Sequence, residues 1–307
     1  MIIDNKSVFK ALAKGYLWNS GGTLISKGLR FSIQLFLVKL IAPEYFGAFA
    51  VANAISGFMM AVSDLGISSH LIHSNKYEHN QAIVLHQKLL AFNLFLMAFV
   101  MMIVLLVEYN QKIDTQILLF TKSMVSLTFI SSINIIPRAL VLKKLRFKLL
   151  NITEIASIVF GSILSVCFAK MDYPVLSLLS FPASRFLIQT ITFQERRFYT
   201  KISAVKIDLR NTFIQSKYDM VNKLLISLTE KLDYLLLAFF ASVSVVGVYE
   251  LAFMLTDTIR QVTTSIVSQL LLPIFSTIQK DIVQIKNIFR ITSRLNFNLV
   301  LLPLGIL

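Results

Sequence analysis

Apolar runs of membrane-crossing length follow one another along almost the whole chain, parted by short segments rich in Lys, Arg, Pro or Gly. About twenty predominantly apolar residues span a ~30 Å hydrocarbon core as an α-helix. On that measure the pattern predicts nine spanning helices, at about 15–41, 47–72, 87–107, 115–137, 149–169, 174–194, 214–239, 247–275 and from 295 onward. The expected fold class is therefore an all-α polytopic membrane protein.

The first two spans return later in the chain. With Gly47 set on Gly247 and no gap, Leu24, Leu35, Leu37, Ala52, Val62, Ser68 and Leu71 meet identical residues at 224, 235, 237, 252, 262, 268 and 271, and Phe49 meets Tyr249. Fixed-period similarity of this kind marks an internal repeat. Asn19, Thr23, Lys27, Arg30 and Gln34 fall three or four residues apart, on one face of a helix. Their counterparts Asp219, Lys223, Ser227, Glu230 and Tyr234 keep that polar stripe in register while every identity changes. Each copy thus carries a wet face inside a membrane-length segment. An even number of spans separates the copies, so both take the same orientation, as parallel repeats about an axis along the membrane normal. The expected architecture is two helical lobes of six plus six. Residues 1–194 form the first lobe, 195–213 a cytoplasmic linker and 214–307 a partial second lobe of about three helices. The sequence stops at Leu307 inside that lobe's third span.

Composition agrees with a membrane solvent, at 56% apolar residues and a mean hydropathy of +0.72. The net charge of +14 does not point to nucleic acid, because it is sorted by side of the membrane. Twenty Lys and Arg fall in segments on one side, among them the run Lys143-Lys144-Leu145-Arg146-Phe147-Lys148. The turns on the other side hold only Lys112 and Lys170. By the positive-inside rule this places the N-terminus in the cytoplasm. Residues 1–14 lack a small-residue cleavage site, so the first span is expected to serve as the insertion signal. Cys167, the single cysteine, permits no intrachain disulfide and is expected as a small buried residue of its helix.

No Walker loop, dinucleotide fingerprint, Cys/His metal spacing or nucleophile elbow occurs, so no catalytic residue, metal site or cofactor is expected. His70, His73, His79 and His86 gather around one short loop, where helix ends and solvent account for them. The informative groups are ionisable residues inside spans. Each costs roughly 2–3 kcal/mol or more facing lipid at mid-bilayer, so each faces a bundle interior or a wet cavity. The expected cavity set is Lys27, Arg30, Gln34, Asp64, Arg185, Lys223, Glu230, Asp257 and Arg260. Lys27, Arg30 and Arg185 have no acid within helical reach on their own spans. Asp257 and Arg260 stand three apart and can pair; Glu230 can pair with a neighbouring cation. Arg offers two-pronged contacts to phosphate and Lys a point charge, so a cavity so lined suits an anionic substrate. Asp64 and Glu230 are candidates for charge balance or ion coupling.

Several stretches resemble a known family. Ile41-Ala42-Pro43-Glu44-Tyr45-Phe46-Gly47 is similar to the turn after the first helix of polysaccharide flippases, and Ser63-Asp64-Leu65-Gly66-Ile67 with Leu71-Ile72 to the end of their second. Ile136-Pro137-Arg138-Ala139-Leu140 followed by Lys144-Leu145-Arg146-Phe147 resembles the loop after their fourth. Gly247-Val248-Tyr249 and Leu272-Pro273-Ile274-Phe275-Ser276 resemble their eighth. In order and spacing the set is similar to Wzx-like oligosaccharide flippases, the O-antigen, lipopolysaccharide, colanic and teichuronic acid exporters of the multidrug/oligosaccharidyl-lipid/polysaccharide exporter superfamily. The resemblance implies a multi-pass protein of the bacterial inner membrane with two six-helix lobes. It implies alternating access that carries an undecaprenyl-pyrophosphate-linked oligosaccharide to the periplasmic leaflet. The implied partners are that lipid-linked substrate, membrane lipids, and the polymerase and glycosyltransferases of the same pathway.

Three rival readings have distinct marks. A cation-coupled multidrug exporter of the same superfamily should have an acidic, aromatic-rich cavity. A membrane glycosyltransferase or polymerase should carry catalytic groups on a large loop outside the membrane, and the outside loops here are a few residues long. An inert truncated fragment would fail in membrane assembly.

Overall fold

A computed structural model describes residues 22, 25–73, 79–109, 114–144, 146–194, 209–258, 290 and 293–294. Within them run ten helices: α1 (25–38), α2 (Pro43–Ser63), α3 (Ile67–His73), α4 (His79–Tyr109), α5 (Thr115–Ser132), α6 (Ile135–Lys143), α7 (Phe147–Lys170), α8 (Pro174–Phe193), α9 (Leu209–Phe240) and α10 (243–258). No strand occurs among the described residues.

Helix α2 is the centre of the assembly. Pro43 opens it, where a missing N–H leaves no bond unmade, and Glu44 lies in the first turn beside the positive end of the helix dipole. Most of its buried residues are small, among them Gly47, Ala48, Ala50, Ala52, Ala54, Ser56 and Ala61. Lipid is as apolar as leucine, so helices in a bilayer associate by close van der Waals approach, and small residues allow it. α2 accordingly packs on α5 along one flank and on α9 along the other. Ala48 and Ala52 join Leu37, Phe120 and Leu178 in one core, and Ala50, Val51 and Ala54 meet Tyr234 and Val246 in a second. A hydrogen bond of 2.5 Å between the Ser56 and Thr128 hydroxyls ties α2 to α5.

The closest approach joins the two sequence copies. A methyl group on Gly47 would overlap the Val243 carbonyl oxygen, and one on Gly247 would overlap the Pro43 carbonyl oxygen. The contact is reciprocal: Gly47 and Gly247, and Pro43 and Val243, are the same positions two hundred residues apart.

The expected span at 47–72 is not one helix. The backbone turns left-handed at Leu65 (φ 48°) and Gly66 (φ 70°), which ends α2 and starts α3. Asp64 bridges the break, accepting from the Ser68 N–H at 3.1 Å and from its hydroxyl at 2.8 Å. Asn93 of α4 donates to the Ser63 carbonyl at 3.1 Å, and Lys143 donates to the Leu71 carbonyl at 3.1 Å. The span expected at 115–137 is likewise broken, into α5 and α6 at an angle of 44°. Asn134, at the bend, donates to Thr190 of α8 at 2.8 Å, and Gln194 donates to the Ile133 carbonyl at 3.0 Å. Backbone groups freed at such breaks must find partners inside the protein, because lipid offers none.

Among the described residues four helices are long and apolar enough to cross a membrane, at Pro43–Ser63, Gln81–Tyr109, Phe147–Lys170 and Pro174–Phe193; α5 and α6, taken as one bent span, make a fifth. The chain is an all-α polytopic membrane protein. α4 presents Leu94, Phe95, Phe99, Met102 and Leu106 outward, as a lipid-facing helix does. α9 reaches 32 residues yet fails the hydropathy measure, because it carries Lys223, Glu230, Lys231 and Asp233. The span expected from 295 onward lies outside the described residues, as does the part of the eighth beyond residue 258. Cys167 is exposed on α7, against the expectation of a buried site, because the α7–α8 seam is filled by Gly161, Ser165 and Ser177 instead. His86 is buried in α4, not solvated at a helix end.

Candidate functional site: a charged cavity between helices

Five helices each offer one polar stripe to a common space. On α1 the stripe is Lys27, Arg30 and Gln34; on α7, Asn151 and Glu154; on α8, Arg185 and Gln189; on α9, Glu230, Lys231 and Tyr234; on α10, Glu250 and Asp257. Spacings of three, four and seven place each stripe on one side of its helix. Arg138 of α6 and Asn53 of α2 add to the polar lining, as do Ser26 and Thr258, with Phe31, Phe147, Phe193 and Phe253 between. The cavity, open on one side, has a volume of about 780 Å³, inside the range of roughly 300–1,000 Å³ usual for small-molecule sites.

The cavity is mixed in charge. Five cations line it (Lys27, Arg30, Arg138, Arg185 and Lys231) together with four carboxylates (Glu154, Glu230, Glu250 and Asp257). Arg185 pairs with Glu154 across the α7–α8 seam, at 3.3 Å from Nε to Oε2. Arg30 and Arg138 are exposed to the cavity and take part in none of the ion pairs found among the described residues. Between α9 and α10 lies an aromatic layer. Tyr234 is 1% exposed; its ring stands edge-on to Tyr249 and Phe253, and Lys231 lies over its face at 5.4 Å. The Tyr249 hydroxyl donates to Asp233 at 2.5 Å.

Of the nine positions singled out in the sequence, Lys27, Arg30, Gln34, Arg185, Glu230 and Asp257 line this cavity. Asp64 and Lys223 do not. They pair with each other, from the end of α2 to the middle of α9, and Lys223 also donates to the Ser68 hydroxyl at 3.0 Å. The reason is the break after Ser63, which turns the Asp64 carboxylate back toward α3 and into reach of α9. The pair lines a second, smaller recess of about 410 Å³ beside the cavity. Arg260 lies outside the described residues.

Four charged lining residues fall outside the expected cavity set: Arg138, Glu154, Lys231 and Glu250. Glu154, Lys231 and Glu250 sit inside expected spans, so the rule that marks in-span charges reaches them too. Arg138 was assigned to a loop, and the bend before α6 brings it back to the cavity wall. Lys122, another in-span cation, is bound to Glu108 at 2.6 Å as a structural pair between α4 and α5. Among the described residues no group of three or more His, Cys, Asp or Glu is placed to hold a metal ion.

Compared with known families, residues 36–307 match the family model for polysaccharide biosynthesis proteins. The chain belongs to the polysaccharide biosynthesis protein family. The match takes in α2 to α10 and part of α1, so every helix that walls the cavity falls wholly or partly within it. Searches of curated proteins and of solved structures found no match. For a polysaccharide biosynthesis protein the cavity chemistry is apt. Amides, carboxylates and a tyrosine can share hydrogen bonds with sugar hydroxyls, and guanidinium and ammonium groups can hold phosphate.

Proposed function

We propose that this polysaccharide biosynthesis protein is a carrier rather than an enzyme. Its cargo is an undecaprenyl-pyrophosphate-linked oligosaccharide, moved across the bacterial inner membrane by alternating access. The observation that supports it is the charged cavity of about 780 Å³ walled by α1, α7, α8, α9 and α10. A lipid-linked saccharide has a head group that hydrocarbon rejects, since an ion moved into a medium of low dielectric loses tens of kcal/mol of solvation by a simple Born estimate. Lys27, Arg30, Arg138, Arg185 and Lys231 would replace that solvation around the pyrophosphate, at about 1.5–3 kcal/mol for each charge-assisted hydrogen bond. The carboxylates and amides would do the same for the sugar hydroxyls, and they keep the site from holding any one anion too tightly to release it.

The N-terminus lies in the cytoplasm in this reading, where the substrate is made. The polymerase and glycosyltransferases that consume and supply the substrate act beside it. Five cations in the cavity count against a multidrug exporter of organic cations. The reading is tested by deleting the gene in its own host. Lipid-linked oligosaccharide should accumulate and surface polymer should fall, with both restored by the intact gene. Normal surface polymer in the deletion strain, with no accumulated lipid intermediate, would overturn it.

A further inference from the structure

The side of α7 turned away from the cavity carries a second ordered pattern. Asn151, Glu154 and Ile158 face the cavity, and Gly161 and Ser165 face α8. Lys148, Ile152, Val159, Ile163 and Lys170 are all exposed, at spacings of four and seven that put them in one stripe along the helix. At 1.5 Å per residue the two lysines stand about 33 Å apart, close to the ~30 Å thickness of the hydrocarbon layer. The stripe between them therefore faces acyl chains, and each lysine lies at a head-group layer. The two ends differ. Beside Lys170 the exposed Asp172 offsets the charge, whereas beside Lys148 both Lys144 and Arg146 are exposed as well. Lys144 and Arg146 take part in none of the ion pairs found among the described residues. The corner between α6 and α7 that carries these cations has a fixed shape. The Lys144 N–H donates to the Leu140 carbonyl at 3.0 Å and the Arg146 N–H to the Val141 carbonyl at 3.2 Å. The Lys143 ammonium holds the Leu71 carbonyl of α3. Phe147 turns to the cavity, and the three exposed cations do not line it.

Three cations at head-group depth, at one end of an exposed apolar stripe, match an amphiphile with an anionic head and an acyl tail. We propose that the α6–α7 corner binds an anionic glycerophospholipid of the leaflet on that side. Lys144, Arg146 and Lys148 hold its head-group phosphate, and one acyl chain lies along Ile152, Val159 and Ile163. The Arg146 guanidinium can grip two phosphate oxygens at once, while the lysines act as point charges. Each cation near the surface strengthens the attraction to anionic lipid roughly fivefold. The acyl chain gains little on the stripe, since lipid is as apolar as the side chains it would leave. Selectivity therefore lies in the head group. A zwitterionic lipid brings the same phosphate with its charge cancelled, and so binds less well. A head group held here sets the depth of the corner and, through Lys143 and Leu71, keeps α6 against α3. The site is independent of the transport reading and requires only that α7 spans the bilayer.

The test uses the full chain in phosphatidylcholine vesicles that carry a trace of photoreactive phosphatidylglycerol. A parallel sample carries phosphatidylcholine with the same photoreactive acyl chain. After irradiation, mass spectrometry of fragments reads the labelling of α7 from Ile152 to Ile163 and of the exposed face of α4 around Phe95 and Phe99. Phosphatidylglycerol should label α7 on the order of tenfold more than phosphatidylcholine does, and the two should label α4 alike. Lys144→Gln, Arg146→Gln and Lys148→Gln combined should bring the α7 label down to the phosphatidylcholine level, and Lys170→Gln should leave it unchanged. Because cations also set membrane orientation, a second arm leaves the chain unaltered. Salt at about 1 M, where the screening length is about 3 Å, should remove most of the preference. Equal labelling of α7 by the two lipids would overturn the site, as would a preference that outlasts both the salt and the triple substitution in assembled protein. A preference equally strong on α4 would mean general enrichment of anionic lipid around a basic protein, and would overturn it as well.

Discussion

In the proposed reading, Arg30 is one of the cations that would hold the substrate's phosphate. It projects from α1 into the space shared with α7 to α10, exposed to the cavity and outside the ion pairs of the described residues. Arg30→Ala should lower transport by tenfold or more, the loss of about one charge-assisted contact, while membrane insertion stays unchanged. Wild-type surface polymer in that variant would sink its role. Arg185 behaves differently, because Glu154 already engages it at 3.3 Å and the pair is partly exposed. Combining Arg185→Ala with Glu154→Ala should give a coupling energy of about 1 kcal/mol or less in thermal unfolding, as half-solvated pairs do. A coupling several times larger would mean the pair is structural first. Lys27, Arg30 and Gln34 were legible in the sequence because a polar stripe on a membrane-length helix has no place but a cavity. Asp64 and Lys223 were not, since each finds its partner 159 residues away and only the folded chain brings them together.

At the scale of elements, the crossing of α2 with α10 is the tightest joint described. Gly47 and Gly247 each abut the carbonyl that begins the opposite turn, Val243 and Pro43. Neither position can take a methyl group without moving backbone. Gly47→Ala or Gly247→Ala should destabilise by roughly 1–3 kcal/mol through overpacking. Thermal denaturation in detergent reads this directly, and an unchanged midpoint for both variants would remove the joint from the account. The Lys223–Asp64 clasp at the opposite end of α2 makes the complementary prediction. Lys223→Met should loosen α9 from the α2–α3 break and raise proteolysis or hydrogen exchange around Ser63 to Ser68, with little effect around Gly47. Uniform protection in that variant would contradict it. The register of the repeat equates Gly47 with Gly247 in the sequence, but their contact in space comes only from the fold. The break in the second span was legible in part, since Ser63-Asp64-Leu65-Gly66 reads as a helix end, but the continuation as α3 and the bend in the fourth span were not. Hydropathy runs straight through Asp64 to Gly66 and through Ile133 to Asn134, and what bends the chain there is a left-handed turn and side-chain hydrogen bonds that a window average does not register.

For the whole molecule, the charges that keep α9 from reading as an ordinary span are those that build the site. A stripe that would be intolerable in lipid is stable where several helices turn such stripes toward one another around water. Family membership gives a role in polysaccharide biosynthesis, and the proposal that this cavity carries a polar, phosphate-bearing lipid is open to direct test. The most direct measurement reconstitutes the purified protein in sealed vesicles that carry a fluorescent polyprenyl-diphosphate-linked oligosaccharide in the inner leaflet. An impermeant quencher outside then follows the oligosaccharide as it crosses. The account predicts quenching within minutes for the wild-type protein and a rate at least about tenfold lower for Arg30→Ala. Equal rates for wild-type protein, Arg30→Ala and protein-free vesicles would contradict it.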